Sequence, residues 1–137
     1  MPDNSPKATT SPALSILVVD DDPMVRESTA WMLADAGHDV HQAADGMAAL
    51  DYLVNMGPVD LLITDINMPR MDGLELAQQT KARWPALPVL LVSGRPQPTG
   101  TQAFVPKPFG WDTLMKAVAR VIGPDEITSG LGRRTPL

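Results

Sequence analysis

The chain has no cysteine, few histidines, no excess of positive charge and no long apolar run, and each shortage removes a class of function. Without cysteine anywhere in 137 residues, disulfides and thiol chemistry are excluded. The two histidines, His38 and His41, fall near the start of a weak strand pattern without the companions that a zinc site needs. They read as surface or structural residues. Lys and Arg number 11 against 16 Asp and Glu, a formal net charge of -5. A general nucleic-acid surface needs clustered cations to replace the counterions around phosphates, so that class is disfavoured. No stretch approaches the roughly 18 apolar residues of a membrane helix. Residues 1–13, MPDNSPKATTSPA, carry neither the basic start nor the apolar run of a secretory signal. They are expected to be a disordered leader, and the expected location is cytoplasmic.

What the chain does contain is 44% apolar residues, enough for one core of ordinary size. Ile16 to Val19 reads as a short strand, and Pro23, which has no N–H to lose, suits the first turn of a helix capped by Asp22 or Asp21. That helix is expected from Pro23 to Ala36, with Val25, Ser28 or Thr29, Met32 and Ala36 on its inner face and Gly37 as its stop. A weaker strand near Asp39 to Gln42 leads to a helix from about Met47 to Asn55, closed by Gly57-Pro58. Val59 to Thr64 is the clearest buried strand, with Asp60 at its mouth. Asp72 caps a helix running to about Arg83, with Leu74, Ala77 and the stem of Lys81 facing inward. Val89 to Val92 and Ala103 to Val105 are further strands. Trp111, Leu114, Met115, Val118, Val121 and Ile122 form the stripe of a last helix. Residues 123–137 carry no such stripe and read as a flexible tail. Alternating strands and helices predict one α/β domain over 14–122, its mostly parallel sheet covered on both faces and its site beyond the carboxyl ends of the strands.

Polar residues stand at those ends. Asp20, Asp21 and Asp22 follow one apolar run, Asp65 another, Ser93 a third and Lys107 a fourth. Mg²⁺ takes hard oxygen ligands and shares them with phosphate. Asp21 and Asp65 are the direct-ligand candidates, Asp20 acts through water or supports them, and the main-chain carbonyl of Asn67 adds an oxygen. Three successive acids leave a one-residue register ambiguity. Asp65 ends the most apolar strand and precedes a turn, which suits a positioned, reachable phosphoryl acceptor. The Lys107 ammonium and the Ser93 hydroxyl suit phosphoryl oxygens, offsetting charge that develops during transfer.

The runs ILVVDD at 16–21, LLITDINMPRMDGLEL at 61–76, VLLVSG at 89–94 and FVPKPF at 104–109 together resemble the receiver domain of bacterial two-component response regulators. The resemblance covers residues 14–122. It implies a flavodoxin-like, doubly wound five-stranded parallel sheet in the order 2-1-3-4-5. It also implies that Asp65 is phosphorylated by a histidine kinase or histidine phosphotransfer protein, with Asp20 and Asp21, rather than Asp22, as the acidic pair for Mg²⁺. Ser93 then resembles the switch hydroxyl, Phe104 the aromatic switch residue, Lys107 the family's lysine, and Gly94 the small residue that leaves access. A cis bond is implied at Lys107-Pro108. The departure lies between Ser93 and Phe104, where GRPQPTGTQA replaces a full crossover. Pro96, Pro98 and Gly100 oppose a helix there, so the fourth crossover helix is expected to be absent or reduced to a turn. The altered face is expected either to support a homodimer or to be covered by the loop in a monomer.

The favoured function is a stand-alone phosphoacceptor that signals through protein partners or a phosphorelay. It is not a turnover enzyme, but it phosphorylates itself with Mg²⁺ and loses the group slowly. A second reading is a phosphorylation-independent adaptor that binds through the altered face. A third, a Mg²⁺-dependent phosphatase with Asp20 as nucleophile and Asp22 as acid/base, lacks a cap or substrate-recognition segment.

Overall fold

The computed structural model describes residues 13–94 and 103–123. Its elements are β1 (Ser15–Val19), α1 (Pro23–Asp35), β2 (Asp39–Ala43), α2 (Gly46–Met56), β3 (Leu61–Asp65), α3 (Gly73–Arg83), β4 (Val89–Ser93), β5 (Ala103–Pro106) and α4 (Trp111–Ile122). The strands form one sheet in the order β2-β1-β3-β4-β5. Every pairing is parallel, with Ile16 opposite both Val40 and Leu61, Asp65 opposite Val92, and Ser93 opposite Pro106.

Successive residues of a strand face opposite sides of a sheet, and the core divides accordingly. Ile16, Val18, Leu61, Ile63, Leu90 and Val92 pack with Leu33 of α1 and with Leu114, Ala117, Val118 and Ile122 of α4. Leu17, Val19 and Leu62 pack on the other side with Ala49, Leu50 and Leu53 of α2 and with Leu76 of α3. Fully burying one such side chain contributes roughly 1.5–3 kcal/mol, so the two-sided cover is the main source of the sheet's stability. The first three helices start at aspartates whose side chains accept backbone N–H groups: Asp22 from Met24 and Val25, Asp45 from Ala48, and Asp72 from Glu75.

Several inner faces differ from the sequence-based expectation. In α1 the buried residues are Thr29, Ala30 and Leu33, whereas Ser28 and Ala36 are exposed and Val25 and Met32 half-buried. Thr29 alone of the expected set is buried, because a second apolar strip on this helix faces a groove rather than the sheet. In α3 the buried face is Gly73, Leu76, Ala77 and Thr80; Leu74 is half-buried and Lys81 exposed. Trp111, in the first turn of α4, is also exposed. Strand β3 begins at Leu61 rather than Val59, because Asp60 is occupied at the sheet's lower end: its carboxylate accepts the Ser15 N–H at 2.8 Å and its own N–H donates to the Ser15 carbonyl at 2.8 Å.

Four helices stand among the described residues, and β4 and β5 are joined by residues 94–102. The expected leader at 1–13, the expected tail at 123–137 and the expected lost crossover at 94–103 fall on residues that are, apart from Ala13, Gly94, Ala103 and Gly123, outside the described ones.

Candidate phosphoacceptor site

The strand order reverses direction at β1, since the chain leaves β1 toward β2 and returns to β3 on the other side. Such a switch point opens a crevice beyond the strand ends. Asp20 and Asp21 follow β1 there and Asp65 ends β3, with carboxylate oxygens of all three within 4.8 Å of one another. Asp22 is outside this group, its side chain spent on capping α1. The structure thus brings Asp20 and Asp21, and not Asp22, to Asp65.

The three acids differ in what they have left to offer. Asp20 is buried; one oxygen accepts the Asp22 N–H at 2.9 Å and the other meets the Lys107 ammonium at 3.1 Å. Asp21 is exposed, and its carboxylate makes no hydrogen bond or ion pair with another described residue. Asp65 is buried and meets the same ammonium through Oδ1 at 3.1 Å. Burial pushes the Asp65 carboxyl above its usual range; the Lys107 hydrogen bond works against this, and the charges of Asp20 and Asp21 add to it. Burial pulls Lys107 down, but its hydrogen bonds to Asp20 and Asp65 and the charges of those two carboxylates together outweigh burial and hold it above its usual value, so it is cationic.

This donor set suits a small hard cation. Asp20, Asp21 and Asp65 supply only oxygens, the chemistry that Mg²⁺ prefers. The closeness of the three carboxylates, with oxygens within 4.8 Å of one another, is a second observation that fits, because a divalent ion would relieve that crowding.

The remaining expected residues are distributed as follows. Ser93 is buried at the end of β4, and its Oγ accepts a hydrogen bond from Asn67 Nδ2 at 2.8 Å. The Lys107 N–H donates to the Ser93 carbonyl at 2.7 Å, extending the β4–β5 register to the lysine. The Lys107-Pro108 peptide is cis. Phe104 is half-buried in β5 opposite Leu91, away from the acid cluster. A Cβ added at Gly94 would meet nothing within 4 Å.

Three contacts escaped the sequence reading. Arg26 donates to the Asp20 carbonyl at 2.9 Å and to Gln42 Oε1 at 3.1 Å, tying the acid-bearing loop to the end of β2. An arginine one helical turn after the capping acid is the local signal that was available. A Cβ at Gly73 would overlap the Asp65 carbonyl oxygen, so only glycine lets α3 start this close to the acceptor. Arg70 adopts a left-handed backbone (φ 68°) and reaches Asp45 at 3.6 Å; for a residue other than glycine nothing local announces that conformation. Beside the cluster, α1 and the segment after Lys107 enclose an apolar groove of about 470 Å³ between Met24, Val25 and Met32 on one wall and Pro108 and Phe109 on the other. This groove is what the second strip of α1 faces.

A doubly wound sheet with an acid cluster and a lysine at its switch point defines a receiver-type signalling domain. The chain belongs to the response regulator receiver domain family, whose pattern matches residues 16–119. It is similar to the response regulator MprA of Mycobacterium sp. (strain KMS), 39% identical over 122 residues that cover 81% of this chain and 53% of that protein. It is 35% identical to MprA of Mycobacterium tuberculosis (strain ATCC 25618 / H37Rv) over 133 residues, 89% of this chain and 57% of that one. The chain thus spans about half the length of these relatives. Among solved structures, it resembles the chemotaxis protein CheY4 of Vibrio cholerae at a TM-score of 0.73 and 31% identity, covering 80% of this chain and 99% of that one. It also resembles the receiver domain of the hybrid histidine kinase CckA, at a TM-score of 0.69 and 34% identity, with coverage of 80% and 99%. Membership places the chain on the phosphoacceptor side of two-component signalling, in a family whose domains interact with histidine kinases or histidine phosphotransfer proteins.

Proposed function

We propose that Asp65 accepts a phosphoryl group from a phosphohistidine donor and that the aspartyl phosphate changes how this domain binds its protein partners. The observation that carries the reading is the shared ammonium: Lys107 lies 3.1 Å from both Asp20 and Asp65, a cation placed where phosphoryl oxygens would arrive. In the transfer, a carboxylate oxygen of Asp65 attacks phosphorus, a P–O bond forms and the P–N bond to imidazole breaks. The departing nitrogen keeps the electron pair and takes a proton from water. Asp21, Asp65 and the Asn67 carbonyl would hold Mg²⁺, which when bound would supply neutralising charge to the phosphoryl oxygens. Lys107 leaves Asp65 for a phosphoryl oxygen without leaving Asp20, so the ammonium remains anchored. Ser93 donates its hydroxyl proton to another oxygen. The chain is not a turnover enzyme in this reading, and hydrolysis of the acyl phosphate resets it slowly. The apolar groove beside the acids is the natural seat for the donor.

The test is intact mass after incubation with Mg²⁺ and a small phosphoryl donor. The native chain gains one phosphoryl group, and Asp65→Ala, folded by circular dichroism, gains none. Equal labelling of the variant, or none of the native chain, would overturn the proposal.

A further inference from the structure

Asn67 entered the site through its main chain alone, yet its side chain makes a contact that this role does not use. Its amide donates from Nδ2 to Ser93 Oγ at 2.8 Å, across 26 residues of sequence. The two residues belong to adjacent strand ends, since β3 and β4 pair with Asp65 opposite Val92. The turn that carries Asn67 is itself held in place. The Met68 N–H donates to the Ile66 carbonyl at 3.2 Å, the Gly73 N–H donates to the same oxygen at 2.8 Å, and Met68 and Met71 are buried in the core. The amide therefore starts from a fixed backbone.

We propose that the Asn67 side chain is a positioning residue for Ser93, turning the hydroxyl proton toward the phosphoryl group on Asp65. A hydroxyl offers one proton and two lone pairs. An N–H donor occupying one lone pair restricts rotation about the Cβ–Oγ bond, so the directions open to the hydroxyl proton are limited. Ser93 is 2% exposed, so bulk water does not set its orientation. Asn67, by contrast, is exposed, and its side chain contributes little to packing. A hydrogen bond from a surface amide to a buried hydroxyl at the reacting end of the sheet is worth more to the reaction than to the fold. The inference rests on the phosphoacceptor reading and adds a residue to it.

The experiment is a double-mutant cycle on the full chain. Initial rates of phosphoryl gain from acetyl phosphate are measured across a Mg²⁺ series for the native chain, Asn67→Ala, Ser93→Ala and the pair. Asn67→Ala is expected to slow labelling by about three- to tenfold, the scale of one oriented hydrogen bond, with the half-saturating Mg²⁺ concentration unchanged. In the Ser93→Ala background the same substitution should have almost no further effect, because its target is gone. Multiplicative losses in the double variant, faster labelling by Asn67→Ala, or a shifted Mg²⁺ requirement would overturn the inference while leaving Asp65 as acceptor. Failure of the native chain to label would overturn both. Urea midpoints confirm folding, and Asn67→Ser, too short to reach Ser93, repeats the comparison if alanine disturbs the turn.

Discussion

Lys107 holds two carboxylates with one ammonium, and the site's resting balance depends on it. Removing the charge in Lys107→Met leaves Asp20 and Asp65 crowded with Asp21, and the metal-free protein should lose on the order of 1–3 kcal/mol. Added Mg²⁺ should recover more stability in this variant than in the native chain, because the cation binds a more negative cluster. Urea denaturation with and without Mg²⁺ measures this, and equal gains in both proteins would mean that ammonium and cation do not share the cluster. His38 gives a separate prediction. Its Nδ1 accepts the Leu14 N–H at 3.1 Å, and burial holds its pKa below the usual 6.5. The folded state therefore favours neutral imidazole. Its stabilising effect is complete above the unfolded pKa and is lost as pH falls below it, toward the lowered folded value. Comparing the native chain with His38→Gln between about pH 7.5 and pH 5.5 should show that loss in the native chain alone. At this scale the sequence was legible where a residue ends a strand, as with Asp65, and silent where a contact spans distant residues. Nothing local to Asn67 announces Ser93.

At the scale of elements, the starts of helices were easier to read than their faces. Asp22 with Pro23 and Asp72 with Gly73 mark their helices because a carboxylate that accepts early N–H groups is a local device. The inner face of α1 was misplaced because Val25 and Met32, which line the groove, are as apolar as Ala30 and Leu33, which meet the sheet. A helical period cannot rank two apolar faces without knowing what lies against each. The junction of β3 with α3 yields a sharper prediction. Gly73→Ala places a methyl group against the Asp65 carbonyl oxygen and the Ile66 main chain, so backbone must move. A loss of about 1–3 kcal/mol is expected, with phosphoryl gain slowed beyond what partial unfolding explains. Normal labelling by a folded Gly73→Ala chain would show that the close approach does not position the acceptor.

For the whole molecule, alternation of strands and helices was enough to predict a two-sided parallel sheet. It does not select the order β2-β1-β3-β4-β5, which depends on which side each crossover takes; the motif runs supplied that through resemblance. The order matters because it puts the end of β1 beside the end of β3, and a different order would leave Asp21 and Asp65 apart. The chain spans about half the length of the relatives it matches. The claim on which everything else depends is that phosphorus bonds to one particular oxygen-bearing side chain. The direct measurement is to label the native chain with a small phosphoryl donor and Mg²⁺, reduce the acyl phosphate with borohydride, and locate the resulting homoserine by peptide mass spectrometry. The account predicts homoserine at position 65 and aspartate retained at 20, 21 and 22. Homoserine at any of those three, or a labelled chain with none at position 65, would contradict it.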